Sequence, residues 1–417
     1  MSVVDIDPLS LAVDTTYIDC NKKEDTTGAW EHEELAQVRI KVLRGHTEAV
    51  NSCQYIADDS KILTSSDDLT VKIWSVEEGK ILKSYDTAHA VKISEARINH
   101  DNTRFVTSGW DKSVKVWDVE TGSVLWTGTH DGMVNCCQYS HDGKLVLSGS
   151  DSENAICVWD SHEGKVIRKI NNYHASTLTK CIFAPNDDKA ITTSMDRSCK
   201  FLDLKTWKCT IRLGHHINVI SSCDVSFDER KFATVSWDKT VDLWDIATGG
   251  YRSKGPSSLE GSHEGSLSSC QFSGDGEMLV TGSYDRTIVV WDIENEVQKL
   301  KLQGHTDWVE DVTFSKDQNW LLSCSRDKTV RMWSIQESDT LPVVLEKRKA
   351  IGLQILKCSE CGKPFSMSQL ESFRDVRLCV FCRLQDTNRN IFSVEDEENI
   401  DPEKNDDNYI DIQKDMS

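Results

Sequence analysis

The protein has 417 residues, 38% of them hydrophobic, and a formal net charge of -20. This apolar fraction is enough for a folded core and excludes a chain that is disordered throughout. No run of 18 apolar residues occurs, so the sequence predicts no membrane-spanning helix. The acidic balance argues against nucleic acid as a partner, because affinity for nucleic acid rests largely on contacts between basic side chains and phosphates.

Residues 1–34 are acidic, with nine acids, two lysines and a net charge of -7. We interpret this segment as a flexible tail, since it combines high charge with little apolar periodicity. The first ten residues, MSVVDIDPLS, have neither a basic region nor an apolar core typical of a secretory signal. A cytoplasmic location is therefore expected, with the nucleus left open.

A repeat of about 42 residues fills the middle of the chain. Seven histidines are spaced 43, 41, 44, 41, 48 and 42 residues apart: His46, His89, His130, His174, His215, His263 and His305. An apolar run ends in Trp74, Trp117, Trp159, Trp244, Trp291 and Trp333, with Leu202 filling the one gap, at intervals of 42 to 47 residues. Two independent markers thus give the same period and the same seven units.

Each unit has the same internal pattern of short apolar runs separated by turns. In residues 304–334, VEDVTFS alternates, SKDQN and RDKT predict turns, and WLLSCS and VRMWS predict two further strands. The segment that leads into the next unit supplies a fourth strand. Seven repeats of four antiparallel strands predict an all-β, seven-bladed β-propeller over residues 35–345.

The closing strand of such a ring has two candidates. The seventh unit has only three strands after its histidine, so its outer strand must come from elsewhere. QVRIKVLRGH at 37–46 alternates and runs directly into His46, whereas LPVVLEKRKA at 341–350 follows the last unit. We favour the N-terminal strand, with 341–350 as the alternative.

The repeats resemble the WD-repeat family. The motifs that carry the resemblance are Gly-His at 45–46, 214–215 and 304–305 and Trp-Asp at 117–118, 159–160, 244–245 and 291–292. It implies a hydrogen-bonded tetrad of His, Ser or Thr, Asp and Trp in each blade. The complete sets expected are His46, Ser66, Asp68, Trp74; His215, Ser236, Asp238, Trp244; His263, Ser283, Asp285, Trp291; and His305, Ser325, Asp327, Trp333.

Three units depart from this pattern. Gly109 stands where unit two should carry its hydroxyl, and Leu202 replaces the tryptophan of unit four. In unit three either Asp151 or Glu153 could take the place of the acid. We expect the fold to survive these changes with less rigid blades two to four. Because the His, Asp and hydroxyl groups recur in every unit, we interpret them as structural, and we expect no enzymatic activity.

The resemblance also implies a partner-binding face around the top of the central channel. The residue before the turn aspartate and the start of the first strand line that face in the family. Here these positions hold Trp110, Trp237, Tyr284, Trp308 and Arg326. Exposed aromatic side chains bury large areas at little entropic cost, so we predict protein or peptide partners anchored on the four rings, with Arg326 pairing an acidic group.

The cysteines fall into two groups that need separate explanations. Five lie at one phase of the repeat, at positions that Ala96 and Val312 fill in the other units: Cys53, Cys137, Cys181, Cys223 and Cys270. A site that takes Cys, Ala or Val predicts a small buried side chain, and thiols of different blades should lie too far apart to bridge.

Residues 346–390 predict a zinc module. Cys358 and Cys361, then Cys379 and Cys382, form two Cys-x2-Cys pairs with 17 residues between them. Two such pairs supply the four thiolates of a tetrahedral site, and we predict one structural Zn²⁺. Four reduced thiols without metal are the alternative. Residues 391–417, with a net charge of -8, predict a second acidic, disordered tail.

The sequence as a whole predicts a non-enzymatic protein-interaction scaffold, monomeric within a larger complex. A substrate receptor of a cullin-type ubiquitin ligase is the alternative function. Receptors of that type in this family usually carry Arg two residues after the Trp-Asp pair. The residues here are Glu120, His162, Lys205, Ala247, Glu294 and Gln336, which weakens this alternative.

Overall fold

The computed structural model of the protein describes residues 14–18, 38–86, 88–249, 252–336, 355–357 and 364–366. The chain divides into two units, Met1–Gln354 and Ile355–Ser417. The larger unit begins with β1 (Asp14–Ile18) and β2 (Val38–Arg44), which belong to the last blade described below. No helix within these ranges is both long and apolar enough to span a membrane.

The first four blades each contain four antiparallel strands that pair in chain order. Their third strands are buried because neighbouring blades cover both faces. Blade one holds β3 (Val50–Ile56), β4 (Lys61–Ser66), β5 (Val71–Ser75) and β6 (Ile81–Tyr85). Blade two holds β7 (Ile93–Ile98), β8 (Arg104–Gly109), β9 (Ser113–Asp118) and β10 (Val124–Thr129). Blade three holds β11 (Val134–Tyr139), β12 (Leu145–Ser150), β13 (Ile156–Asp160) and β14 (Val166–Ile170), with a short 3-10 helix at Ser152–Asn154. Blade four holds β15 (Leu178–Phe183), β16 (Lys189–Ser194), β17 (Cys199–Asp203) and β18 (Lys208–Leu213).

The last three blades complete the ring. Blade five holds β19 (Ile220–Val225), β20 (Lys231–Ser236), β21 (Val241–Asp245) and β22 (Ser257–Leu259). Blade six holds β23 (Leu267–Phe272), β24 (Met278–Ser283), β25 (Thr287–Asp292) and β26 (Val297–Gln303). Blade seven holds β27 (Val309–Phe314), β28 (Trp320–Ser325) and β29 (Thr329–Ser334), followed by β2 and β1. The first strand of each blade contacts that of the next, and β27 contacts β3, so the predicted all-β, seven-bladed propeller is confirmed.

The core is divided among the blade junctions. Seven clusters of buried apolar side chains occur, and each joins two neighbouring blades. Trp333 and Trp74, which end the apolar runs of blades seven and one, are among the most deeply buried side chains. A single blade cannot cover both faces of its sheet, so its stability depends on the neighbours that bury them.

The N-terminal strand closes the ring, as the sequence predicts. Residues Ile40 to Arg44 of β2 pair antiparallel with Trp333 to Thr329 of β29. Asp14–Ile18 pairs with the other edge of β2 and adds a fifth strand to blade seven, inside the segment predicted as a tail. The alternative closing segment, 341–350, lies outside the described residues.

The smaller unit contains one described pair of strands, β30 (Ile355–Lys357) and β31 (Pro364–Ser366). They are antiparallel, with Lys357 opposite Pro364. The predicted ligands Cys358, Cys361, Cys379 and Cys382 lie outside the described residues, as does the predicted 391–417 tail. The part of the chain that is described contains no group of acidic, His and Cys side chains arranged to hold a metal ion.

Candidate binding face

One end of the propeller is built from the turns between the second and third strands and the loops that enter the first strands. We call this end the top face. A main-chain hydrogen bond of 2.9–3.0 Å joins turn and loop in every blade. The pairs, donor first, are Asp67–Ala49, Trp110–Lys92, Asp151–Met133, Met195–Thr177, Trp237–Val219, Tyr284–Ser266 and Arg326–Trp308. The five predicted partner-binding residues therefore all lie on this face.

Tyr284, Trp308 and Arg326 form one stacked cluster at blades six and seven. The rings of Tyr284 and Trp308 are 4.6 Å apart and nearly parallel, at 25°. The Arg326 guanidinium lies over Trp308, 4.3 Å from the ring centre, and its Nε is 2.5 Å from Glu310 Oε1. Burial raises the pKa of Tyr284 to about 12, so the phenol keeps its proton at neutral pH. Arg326 thus already has an acidic partner within the chain, Glu310.

A second cation–aromatic pair continues this surface across blades one and two. Lys92 Nζ lies over Trp110, 5.2 Å from the ring centre, and 3.4 Å from Asp67 Oδ1. Asn51 Nδ2 donates to the same Asp67 oxygen at 2.7 Å. Trp110 and Trp308 are 41% and 40% exposed, although each carries a cation on one face. Cations that stack on rings hold those rings in place and leave the outer faces for a partner.

Trp237 differs from the other three aromatic residues. It lies on blade five and is connected to Tyr284 through Ser266, whose hydroxyl donates to the Trp237 carbonyl at 3.3 Å. Its Nε1–H is buried and has no acceptor among the described residues. Lys92 was missed by sequence reasoning, although it occupies the same phase of the repeat as Trp308 and could have been found from that position.

Buried tetrads hold the turns of the top face in place. In blade one His46 Nδ1 bonds Asp68 at 2.8 Å and His46 Nε2 bonds Thr64 at 2.8 Å. Trp74 Nε1 donates to the same Thr64 hydroxyl at 2.8 Å. The predicted tetrad hydroxyls, Ser66, Ser236, Ser283 and Ser325, were wrong, because in each of these blades the hydroxyl that bonds the histidine lies two residues earlier in the chain. The hydroxyls in the tetrads belong to Thr64, Thr107, Ser148, Thr192, Thr234, Thr281 and Ser323.

Two further tetrad predictions were wrong. Blade two has a complete tetrad, because its hydroxyl comes from Thr107 and Gly109 is not at that position. In blade five the tetrad histidine is His216, which bonds Asp238 at 3.0 Å. His215, the predicted tetrad histidine, instead bonds the buried Asp242 at 2.9 Å. Blade four lacks its tryptophan, as predicted.

Blade three has no tetrad acid among the described residues. Asp151 donates its main-chain N–H to Met133 and so occupies the top-face position of its turn. Among the described residues, the His130 imidazole hydrogen-bonds only the hydroxyl of Ser148, at 2.8 Å. Burial, with a smaller effect of Lys169, lowers the pKa of His130 to about 4, so this imidazole is neutral at physiological pH. Neither Asp151 nor Glu153, the two predicted candidates, serves as the tetrad acid of blade three.

We expect Asp327→Asn to lower the free energy of unfolding at pH 7 by about 1.5–3 kcal/mol, the usual range for a hydrogen bond to a charged group. Burial opposes ionisation of Asp327, but hydrogen bonds from His305 and Thr329 outweigh it and lower its pKa. Its contribution is therefore present above about pH 4, where the unfolded carboxyl is also ionised, and is lost as the pH falls.

The matched control is Asp151→Asn in blade three, which we expect to leave stability nearly unchanged. Urea unfolding at pH 7 and pH 3.5 measures both effects. Equal losses in the two variants at pH 7 would show that the tetrad acid has no special role.

Two buried carboxylates and two half-buried cations form a network where the first strands meet. Arg97 contacts Glu95 at 2.8 Å and Asp311 at 2.9 Å, and Lys180 Nζ lies 2.5 Å from Glu95. The four residues come from blades two, four and seven. Burial raises the pKa of Glu95 and of Asp311, but the two cations outweigh it and lower both values, so the carboxylates are charged.

The repeat-phase cysteines are buried, as predicted, and so are Ala96 and Val312. All ten cysteines described in the propeller are free, so no disulfide joins two blades among the described residues. The side chain of Cys53 does interact with that of Cys324 across the junction of blades one and seven. Burial raises the pKa of Cys53, which leaves this thiol a poor nucleophile.

Comparison with known proteins agrees with this architecture. The family model described as "WD domain, G-beta repeat" matches residues 37–75, 79–118, 122–160, 207–245, 256–292 and 296–334, which together cover more than half of the chain. The chain belongs to the WD-repeat family. Most of blade four lies outside the matched segments, in agreement with the replacement of its tryptophan by Leu202.

The chain is similar to several known proteins over different shares of its length. The chain is 39% identical over 357 residues to WD repeat-containing protein 88 of Homo sapiens, which covers 85% of this chain and 76% of that protein. It is 26% identical over 230 residues to a guanine nucleotide-binding protein subunit beta of Oryza sativa subsp. indica, and the match covers 51% of this chain and 60% of that protein. It is 23% identical over 226 residues to the Periodic tryptophan protein 2 homolog of Dictyostelium discoideum, and the match covers 53% of this chain and 24% of that protein.

Proposed function

We propose that this WD-repeat protein is a non-enzymatic scaffold that binds protein or peptide partners on the top face of its propeller. The observation that carries the proposal is that Tyr284, Trp308, Arg326, Lys92 and Trp110 share the top face. Two of the rings are about 40% exposed, and each has a cation stacked on one side. Rigid, exposed aromatic groups are typical anchors of protein interfaces.

The chemistry of the tetrads supports a role without catalysis. His46 and Asp68 are buried, with side-chain exposures of 1% and 6%, and the same arrangement recurs around the ring. Such groups satisfy each other inside a sheet and do not present a reactive atom to a substrate.

We also propose that the protein is a monomer that joins a larger assembly in a reducing compartment, the cytoplasm in the first instance. The ten cysteines described in the propeller are all unpaired, nine of them buried. Free thiols in this number suit a compartment that keeps them reduced.

The test of the binding face is the double variant Trp110→Ala, Trp308→Ala. Removing two anchors should weaken each partner held by these two rings at least about 30-fold, because one hot-spot residue contributes 2 kcal/mol or more. The melting temperature should change little, since both rings are partly exposed. Quantitative pull-down with mass spectrometry and a thermal melt measure the two outcomes.

Phe227→Ala is the matched control. Phe227 is 76% exposed and lies in the turn between β19 and β20, at the opposite end of the propeller. The control should keep all partners that depend on the top face. An unchanged partner profile in the double variant would refute the proposed face.

We further propose that Cys358, Cys361, Cys379 and Cys382 bind one structural Zn²⁺. The pairing of Lys357 with Pro364 brings together the two ends of residues 358–363, which contain the first ligand pair. A paired hairpin of this kind suits a Cys-x2-Cys ligand pair.

Elemental analysis of the purified protein should give about one zinc per chain, and none in a Cys358→Ser, Cys361→Ser variant. The variant Cys209→Ser, at an exposed propeller cysteine, should retain the metal. Wild-type protein purified without chelator and free of zinc would contradict the proposal.

A further inference from the structure

Blades four and five carry a separate group of side chains on the top face, all exposed except one half-buried tryptophan. We call it the blade 4–5 patch and define it as Met195, Arg197, Ile217, Trp237 and Lys239. Ile217 is 81% exposed and Met195 is 41% exposed, and both cations are exposed. Apolar side chains as exposed as these two usually mark an interaction surface when they occur together.

One loop places these five residues side by side. A Cβ on Gly214 would lie 3.5 Å from the carbonyl oxygen of Arg197, so the loop packs against the blade-four turn. Three residues later, the N–H of Ile217 donates to Asp238 at 3.0 Å, and the carbonyl of Val219 accepts from Trp237 at 2.9 Å. Loop 214–219 therefore bridges the two turns that carry the patch.

The two cations of the patch differ from three other cations of the top face, which have acidic partners. Lys328 pairs with Glu48 at 3.5 Å, Lys92 with Asp67 and Arg326 with Glu310. Among the described residues, neither Arg197 nor Lys239 has an ion pair. The neighbouring acids, Asp196 and Asp238, are engaged by tetrad histidines.

The loops that enter the first strands of blades four and five also lack acids. The three residues that follow the tetrad histidine are Ala175-Ser176-Thr177 in blade four and Ile217-Asn218-Val219 in blade five, with no acid in either. The same loops of blades one, three, six and seven carry Glu48, Asp131, Glu264 and Asp307. The patch thus combines two cations without ion pairs among the described residues, two exposed apolar side chains and two loops without an acid.

Trp237 is half-buried and its Nε1–H is shielded from solvent, so it offers a partner apolar ring surface and not a hydrogen-bond donor. Two cations without ion pairs in the described part of the chain and two exposed apolar side chains require the same complement, an acidic group beside a large apolar side chain.

We propose that the blade 4–5 patch binds an acidic linear peptide segment of a partner, with Asp or Glu next to a large apolar residue. The inference rests on the proposed function, since it names the partner chemistry for one part of the top face. The carboxylates would pair with Arg197 and Lys239, and the apolar side chain would pack between Met195, Ile217 and Trp237.

The test is selection of a random 12-residue peptide library on the full-length protein, followed by affinity measurement of the enriched peptides. We expect enriched peptides to carry Asp or Glu beside Leu, Ile, Phe or Met. The double variant Arg197→Glu, Lys239→Glu should bind them more than ten-fold more weakly than wild type.

The matched control is Lys112→Glu, Arg286→Glu, which makes the same charge change at the same left-handed turn position of blades two and six. It should retain affinity within about two-fold. Equal losses in both double variants would overturn the site, because they would reflect only the overall charge.

Two other outcomes separate this inference from the proposed function. Enriched peptides that depend on Trp110 and Trp308, but not on Arg197 and Lys239, would overturn the patch and leave the top face as a binding surface. Enrichment of basic peptides on the patch would overturn the stated chemistry. A library without any enriched peptide would overturn both proposals for linear ligands.

Discussion

A chain that begins at residue 45 should lose the cooperative unfolding transition of the propeller, whereas one that begins at residue 30 should keep it. The shorter chain lacks β2, which buries Val38, Ile40, Val42 and Leu43, each no more than 4% exposed. A fully buried aliphatic side chain contributes about 1.5–3 kcal/mol, so four of them approach the total stability of roughly 5–15 kcal/mol for a folded protein.

The loss extends beyond these side chains. Without β2 the edge of β29 has no partner, and blades six and seven expose the core cluster that contains Val38, Ile40 and Val42. An open ring with an unpaired edge is also prone to aggregate. Urea unfolding of both chains, followed by far-UV circular dichroism, measures the effect.

Point variants provide a control that keeps the chain length constant. Ile40→Asn places an amide in the core, whereas Arg39→Asn alters the adjacent exposed residue. Only the first should be strongly destabilising. Equal midpoints for the chains starting at 30 and 45 would show that another segment, such as 341–350, can close blade seven.

Arg97→Met should destabilise the propeller by about 3–5 kcal/mol, the cost of removing one partner from a buried ion pair. Arg97 lies between Glu95 and Asp311, and its loss leaves the Asp311 carboxylate buried without an ion-pair partner among the described residues. Lys180 continues to neutralise Glu95. The expected cost therefore comes chiefly from the link between blades two and seven.

The matched control is Lys316→Met, because Lys316 pairs with Asp58 at 2.7 Å on the surface. Solvent and salt screen an exposed pair, so its removal should leave the unfolding midpoint unchanged. A second variant, Arg97→Met with Asp311→Leu, should recover part of the loss by removing the orphaned charge. Similar midpoints for wild type and Arg97→Met would show that the network does not stabilise the ring.

Several features of the molecule could be predicted from the residues alone because they repeat. The 42-residue period fixes seven blades, and the alternation of 37–46 before His46 indicates the closing strand. Position within the repeat also predicts which side chains reach the top face, since the same turn-to-loop hydrogen bond recurs in all seven blades.

The tetrads show that the repeat period alone does not determine which side chains are in contact. Thr64 and Ser66 are two residues apart on one strand and point to the same face of the sheet, so sequence pattern cannot choose between them. His215 and His216 are adjacent, and only the folded blade five shows which one reaches Asp238 and which one reaches Asp242.

What the sequence determined by itself is the repeating architecture: seven units of four short strands and the buried side of each strand. The strands follow from side-chain periodicity over short segments, and the face on which the turns lie was implied by the resemblance to the WD-repeat family. Only the tertiary structure decided that Arg326 is held by Glu310, that Lys92 pairs with Asp67, and that Arg97 links Glu95 to Asp311. These pairs join different strands or blades, up to 214 residues apart, and their geometry is set by how the closed ring brings the blades together.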